Sequence, residues 1–301
     1  MSEKRVQFDF DIEFSNGGGL RGEAFRLDID GDEISDEALA DAIVRDMRLL
    51  MIGAVRIRNK TIFVEPHKRA ANAIPAPKDA RFVDLSHTIE DGMITYKGLP
   101  APLICDHLSR ADSRAIYAPG TEFQIGRITM VANTGTYIDA PFHRYADGYD
   151  VAGFDMNSIA DVDSVVVHLD GMRGRGIARG ELAALDVEGK AVLVHTGWSR
   201  NWRTDAYFEN HPFLTADAAA FLRDAGARLV GIDSFNIDDT ADRAQPVHTI
   251  LLGAGIPIVE HLTALDALPA SGFRFSAVPP KVRGLGTFPV RAFATLAPDE
   301  S

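Results

Sequence analysis

Residues Arg5 to Phe14 alternate apolar and polar almost strictly: Val6, Phe8, Phe10 and Ile12 fall on one side, Gln7, Asp9, Asp11 and Glu13 on the other. That period of two predicts a strand with one buried face. Asn16-Gly17-Gly18-Gly19 predicts a turn, and Glu23 to Ile29 a returning strand. Ser35 predicts a helix N-cap, with Asp36 and Glu37 where the helix dipole favours acids. Leu39, Ile43, Met47 and Leu50 follow as one apolar stripe at helical spacing. Ala54 to Ile57 and Thr61 to Val64, flanking Arg58-Asn59-Lys60, predict a second hairpin. Residues 1–69 thus read as a small α+β domain at the lower edge of independent stability. They carry no recognisable chemistry, and docking or oligomerisation is the expected use. Residues 70–81 are small, proline-bearing and aperiodic, a linker by composition.

From residue 82 to 301 the pattern changes. Val165 to Leu169, Ala191 to Thr196 and Leu229 to Asp233 are short, dense apolar runs that predict buried strands. Thr215 to Arg223 predicts a helix capped by Thr215, and Pro246 opens another that runs to Leu252. Ile256 to Glu260 predicts a strand ending in a carboxylate. Strands alternating with helices make this an α/β domain. One stretch departs from plain core patterning. After the apolar Ile128, Met130 and Val131 comes Asn133-Thr134-Gly135-Thr136-Tyr137-Ile138-Asp139-Ala140-Pro141-Phe142-His143. Read as a strand, it points Asn133, Gly135, Tyr137 and Asp139 to one face. Pro141 ends the pairing and frees His143 to turn back. A carboxamide, a phenol, a carboxylate and an imidazole are gathered where a core strand would carry Val or Ile.

Composition narrows the classes. The 301 residues are 46% hydrophobic and 25% charged, with a net charge of −12, so no basic face for nucleic acid is expected. Cys105 is alone, which excludes a disulfide framework and a thiolate metal site. The first 30 residues lack a secretory pattern, and no apolar run approaches about 18 residues. A cytoplasmic protein without membrane or nucleic-acid partners is expected.

The stretch 133–143 resembles the signature of the cyclase family of metal-dependent hydrolases, which includes bacterial kynurenine formamidase and isatin hydrolase. That signature runs His-x-Gly-Thr-His-x-Asp-x-Pro-x-His. Gly135, Thr136, Asp139, Pro141 and His143 match it, whereas Asn133 and Tyr137 stand where the family has two histidines. The resemblance extends over roughly residues 82–296, through Val83-Asp84-Leu85-Ser86-His87 and the closing Gly284, Gly286, Pro289 and Arg291. It implies a mixed sheet curled toward a barrel with flanking helices. It also implies up to two divalent ions, a homo-oligomer (dimer or tetramer) and a small-molecule substrate. His248 and Glu260 match the family's distant ligands, so Asp139, His248 and Glu260 retain one whole metal site, and the other has lost both imidazoles. A carboxamide and a phenol with a pKa of about 10 are poorer ligands than imidazole. One divalent cation, Mn2+ or Zn2+, is therefore expected, with the oxygen-rich ligand set leaning away from Zn2+.

His143 matches the family's proton-transfer residue, and an imidazole titrating near neutrality suits that work. Tyr137 is expected to donate to a substrate carbonyl or oxyanion. Asn133 and Tyr96 are expected to shape the substrate pocket, Tyr96 where relatives place a stacking aromatic. His261 should face away from Glu260, and His87 and His195 are expected to be structural. Three functions stay open. The first is hydrolysis of a small cyclic or aromatic amide, lactam or lactone at a single metal. The second is a metal-independent acid–base reaction, namely cyclisation, isomerisation or dehydration. The third is ligand binding without catalysis.

Overall fold

In the computed structural model, which describes residues 4–29, 31, 33–47, 52–64 and 81–297, the chain forms two compact units, residues 1–78 and 79–301. Of the expected linker, all but Arg81 lies outside the described residues, as does Leu50 of the helical stripe.

In the first unit, strands β1 (Lys4–Phe14), β2 (Gly19–Ile29) and β3 (Ile52–Val64) form an antiparallel sheet in the order β2-β1-β3. Val6, Phe8, Phe10 and Ile12 of β1 are buried together with Leu39 and Ile43 of helix α1 (Asp36–Asp46). The Ser35 hydroxyl caps that helix, accepting from the Ala38 amide at 3.1 Å. The expected second hairpin is instead one strand. Arg58-Asn59-Lys60 makes a bulge in β3, not a turn, with Asn59 in the left-handed region at φ +53°. Its side-chain amide donates to Asp9 Oδ2 at 2.6 Å, and Asp9 Oδ1 accepts from the amide of Ala24, a second left-handed residue (φ +49°) at a bulge in β2. One carboxylate on the central strand thus holds a bulge on each neighbour.

The second unit runs through β4 (Arg81–Asp84), β5 (Leu103–Leu108), β6 (Ile125–Thr129), β7 (Tyr137–Asp139), β8 (Val162–His168), β9 (Gly176–Ile177), β10 (Ala191–His195) and β11 (Phe213–Leu214). Helix α2 (Ala216–Asp224), β12 (Leu229–Ile232), helix α3 (Pro246–Gly253), β13 (Ile258–Glu260), β14 (Ser271–Ser276), β15 (Thr287–Pro289) and β16 (Phe293–Leu296) complete it. Nine strands form one curled, mixed sheet in the order β15-β7-β13-β12-β10-β8-β14-β16-β4. Strands β8, β10, β12 and β13 are parallel, and the outer pairings are antiparallel. The parallel strands are buried on both faces, which is why they read as continuous apolar runs. Leu193 packs to one side with Ile138, Val259 and Phe273, while Val192 and Val194 pack to the other with Leu222 and Leu251 of the helices.

Two local expectations need correction. Residues 133–139 are not one strand. Gly135 has φ +68°, so the chain turns there and the extended part is only Tyr137–Asp139, followed by a 3-10 turn over Pro141–His143. A β-carbon at Gly135 would also lie 2.8 Å from Ile89, which a residue other than glycine could not accept without movement. Thr215 occupies the N-cap position of α2, but its side chain makes no capping bond, because its hydroxyl donates to Ile177 O and the Asp217 carboxylate. No helix among the described residues is long and apolar enough to cross a membrane.

Candidate active site

The site lies where β7, β13, the start of α3 and the chain before β15 meet. Pairing of β7 with β13 sets Tyr137 opposite Glu260 and Asp139 opposite Ile258. Pro141 supplies the fixed first position of the 3-10 turn that brings His143 round. The turn is held by Gly286, whose carbonyl accepts from the Ala140 amide at 2.7 Å. A β-carbon at Gly286 would sit 2.4 Å from His143 Cα, so only glycine permits this approach.

His248 is placed by Asp238, which is fully buried. Its two oxygens accept from the Val247 and His248 amides at 2.7 and 2.9 Å, capping the first turn of α3. Asp238 Oδ2 also lies 2.7 Å from His248 Nδ1. That bond fixes a proton on Nδ1 and aims Nε2 inward, where it can ligate once a cation displaces its own proton. Nε2 lies 3.8 Å from Asp139 Oδ2 and 3.9 Å from Glu260 Oε1. Asp139 is fully buried, and its Oδ2 has no hydrogen-bond donor among the described residues. Its Oδ1 accepts from Thr287 Oγ1 at 2.5 Å, and Thr287 Oγ1 is in turn 3.0 Å from His143 Nδ1. Because the threonine proton goes to the carboxylate, His143 Nδ1–H donates to the hydroxyl, and Nε2 is left free.

Glu260 accepts from Tyr137 OH on Oε2 at 2.5 Å and from the Ile237 amide on Oε1 at 2.6 Å. Burial, reinforced by nearby Asp139 against the pull of His248, pushes its carboxyl up. Burial also raises the Tyr137 phenol, with the Glu260 charge adding to it. His248 moves upward in spite of burial, because carboxylates flank both its ring nitrogens. Tyr96 OH accepts from Asn236 Nδ2 at 2.5 Å, which keeps its own O–H available as a donor. Burial, with Glu260 next in effect, keeps that phenol protonated.

Of the residues expected at the site, Tyr96, Asn133, Tyr137, His143, His248 and Glu260 line one cavity of 320 Å³, joined by Leu99, Arg144, Asn236 and Gln245. Asp139, His143 and His248 present ligand atoms within 4.8 Å of one another. Asp238, Thr287 and Asn236 escaped sequence reading. The only hint was the polar run Asp233 to Asp238 closing an apolar strand. His87 and His195 do not line the cavity: His87 stacks on Trp202 with ring centroids 4.0 Å apart, and His195 meets His168.

His261, expected on the face of β13 opposite Glu260, lies past the end of that strand and packs against Tyr137, the register partner of Glu260. With φ +57° it breaks strand alternation and lies buried among Tyr137, Trp202 and Tyr207, its Nε2 at 2.8 Å from Phe235 O. Burial holds His261 down at about 3 and His87 at about 4. Each stays neutral in the fold over a range where the unfolded chain takes up a proton. Stability is therefore expected to be full above the unfolded value of about 6.5 and to fall as pH drops toward 4. Thermal melts at pH 7 and pH 5 check this. His87→Phe, which keeps the stack on Trp202, should flatten part of the slope; an unchanged slope would exclude His87 as a source.

Comparison with known proteins places this geometry. The Cyclase family model matches residues 83–239. A kynurenine formamidase from Geobacillus thermodenitrificans is 32% identical over 213 residues, covering 70% of this chain and 95% of the relative. One from Bacillus cereus is 29% identical over 217 residues, covering 71% and 97%. Among solved structures, a potential metal-dependent hydrolase with cyclase activity superposes with a TM-score of 0.60 at 27% identity, covering 72% of this chain and 98% of that one. Isatin hydrolase A from Labrenzia aggregata shares the fold, with a TM-score of 0.64 at 24% identity, covering 76% and 98%. The chain therefore belongs to the Cyclase family and is a hydrolase of that family.

Proposed function

We propose that the chain hydrolyses a small cyclic or aromatic amide, lactam or lactone, using one divalent cation held by Asp139, His248 and Glu260. The observation that carries this is the unpaired Asp139 Oδ2, buried and facing His248 Nε2 at 3.8 Å. A buried carboxylate oxygen without a donor is costly unless a cation or proton meets it. The imidazole opposite has its tautomer locked by a second carboxylate, as in metal-ligating histidines. The cavity of 320 Å³ and the apolar surfaces of Tyr96 and Leu99 favour a compact, flat substrate.

When bound, a divalent cation there polarises the carbonyl and makes water more acidic. The chain's own groups do the rest. His143 Nε2 takes the proton from the attacking water. The imidazolium formed is steadied through Nδ1–H to Thr287 and on to Asp139. It then returns that proton to the departing nitrogen or oxygen. Tyr96 O–H, oriented by Asn236, donates to the oxygen on which negative charge develops. Tyr137, whose proton goes to Glu260, acts as a positioning residue. We assign the choice between Mn2+ and Zn2+ to the oxygen-rich set, which favours Mn2+.

Chelation followed by reconstitution tests the reading. Turnover of an N-formyl aromatic amine is expected to vanish with chelator and to return with Mn2+. Chelator-resistant turnover would select the metal-independent acid–base reaction instead. That second reading draws on the Tyr137 phenol, which already occupies the Glu260 oxygen a lost ligand histidine would leave to an ion.

A homo-oligomer belongs to the same proposal. Strands β5 and β6 form a two-stranded ribbon, with Ile104 opposite Ile128 and with Leu103, Ile125 and Phe123 also exposed. An isolated ribbon is marginal in water, and a second copy would cover it. Sedimentation should show a dimer or larger assembly that Ile128→Glu weakens; a monomeric wild type would remove this part.

A further inference from the structure

One charged side chain of the cavity has no part in the reaction derived above. Arg144 follows His143 directly and is the only arginine or lysine in the lining. The cavity is therefore polarised. Glu260 and Asp139 stand buried at its inner end, whereas Arg144 is exposed. Its guanidinium is held from two sides: Nε donates to Thr249 Oγ1 at 3.3 Å, and Cζ lies 5.4 Å from the centroid of the Tyr145 ring. Neither contact uses the two terminal nitrogens. Among the described residues, no hydrogen bond or ion pair engages them. Acids are in excess in this chain of net charge −12, and Arg175, Arg203 and Arg291 each have one as partner. The fork at the cavity is left open. Neighbouring amides do not stand in for it, because Asn236 Nδ2 donates to Tyr96 OH at 2.5 Å and Gln245 Nε2 to Asp242 O at 2.9 Å.

We infer that the substrate is an anion, with a carboxylate on its ring, and that Arg144 is the specificity-determining residue that receives it. The inference rests on the hydrolase reading above and narrows its substrate class. A guanidinium takes a carboxylate through two parallel N–H···O bonds, and its planar fork fixes direction as well as affinity. The anion then lies at the exposed end of the cavity and the acyl carbon points inward, toward Asp139, His248 and Glu260. The reversed pose would set the substrate's charge against two buried carboxylates, where like charges repel strongly. Tyr96 and Leu99 lie against the ring between these ends. Arg144 grips a part of the substrate that does not change during the reaction, so ground state and transition state feel it alike. Its loss should therefore raise KM more than it lowers kcat.

The test compares the ortho, meta and para formamidobenzoates with formanilide, their neutral parent, on the full chain supplied with Mn2+. For the best isomer, wild-type kcat/KM should exceed that for formanilide by about 10–100-fold, the worth of a hydrogen bond to a charged group. In Arg144→Gln that ratio should fall close to one, through a higher KM for the anionic substrate. Both substrates report on the same folded molecules, so loss of folded protein cannot imitate the change. A wild-type ratio near one for every isomer, or a ratio that Arg144→Gln leaves unchanged, would overturn the inference while the hydrolase reading stood. If no substrate turns over, the hydrolase reading fails, and binding decides the anion site. Benzoate titrated calorimetrically with chelator present should then bind the wild type more tightly than Arg144→Gln by a similar factor. Equal affinity, or no binding to either, would overturn the site.

Discussion

Replacing His143 by alanine is expected to lower kcat by about 10²–10⁴-fold while leaving KM and metal content nearly unchanged. The reasoning rests on where the ring's two nitrogens go. Nδ1 is committed to Thr287 at 3.0 Å, and the Thr287 proton to Asp139. Only Nε2 is available to the substrate, and His143 is the exposed member of the group it forms with buried Asp139 and His248. A group that moves a proton should affect the chemical step, whereas a ligand should affect occupancy of the ion. Steady-state kinetics with elemental analysis of the same preparation separates these. If His143→Ala protein loses its metal together with its activity, His143 is a ligand and the base must be sought elsewhere.

The second large effect is expected at Asp238, which never touches substrate. Asp238→Ala should destabilise the fold by about 3–5 kcal/mol, the cost of removing one partner from a buried charged pair. It should also weaken metal binding by about 10–100-fold, as loss of a supporting partner to a ligand does. Three donors depend on this carboxylate: the Val247 and His248 amides and His248 Nδ1. Without it the first turn of α3 is uncapped, and the imidazole can adopt the tautomer with its proton on Nε2, facing Asp139. Denaturant midpoints and Mn2+ titrations of Asp238→Ala and Asp238→Asn test both parts. The asparagine should recover much of the stability, because its oxygen still accepts from an amide. Equal loss in both would show that charge, and not capping, holds α3.

These residues also show what a sequence makes visible. The buried parallel strands were readable, because Ala191–His195 and Leu229–Ile232 are apolar on both faces and admit few other structures. The α/β class and the family followed, the latter from Gly135, Thr136, Asp139, Pro141 and His143 within eleven residues. What stayed hidden acts over distance or through backbone conformation. Thr287 reaches Asp139 across 148 positions and looks like any strand threonine until β15 pairs with β7. Asp238 looks like loop punctuation until α3 begins beside it. The false hairpin has the same cause: Arg58-Asn59-Lys60 has the composition of a turn, and only Asp9, fifty positions away, turns it into a bulge. Likewise Gly135 was read as a strand residue, because alternation says nothing about the sign of φ.

That Asp9 carboxylate has an effect beyond its two hydrogen bonds. Its neighbours in the sheet, β2 and β3, are both edge strands, the positions most open to sliding and to recruiting foreign strands. A slip of one residue would turn Phe8 and Phe10 out to water and Asp9 into the core. By gripping a bulge on either side, through the Ala24 amide on one and the Asn59 side chain on the other, Asp9 penalises alternative alignments of both strands. The small sheet is thereby guarded against fibril-like stacking by a single polar side chain.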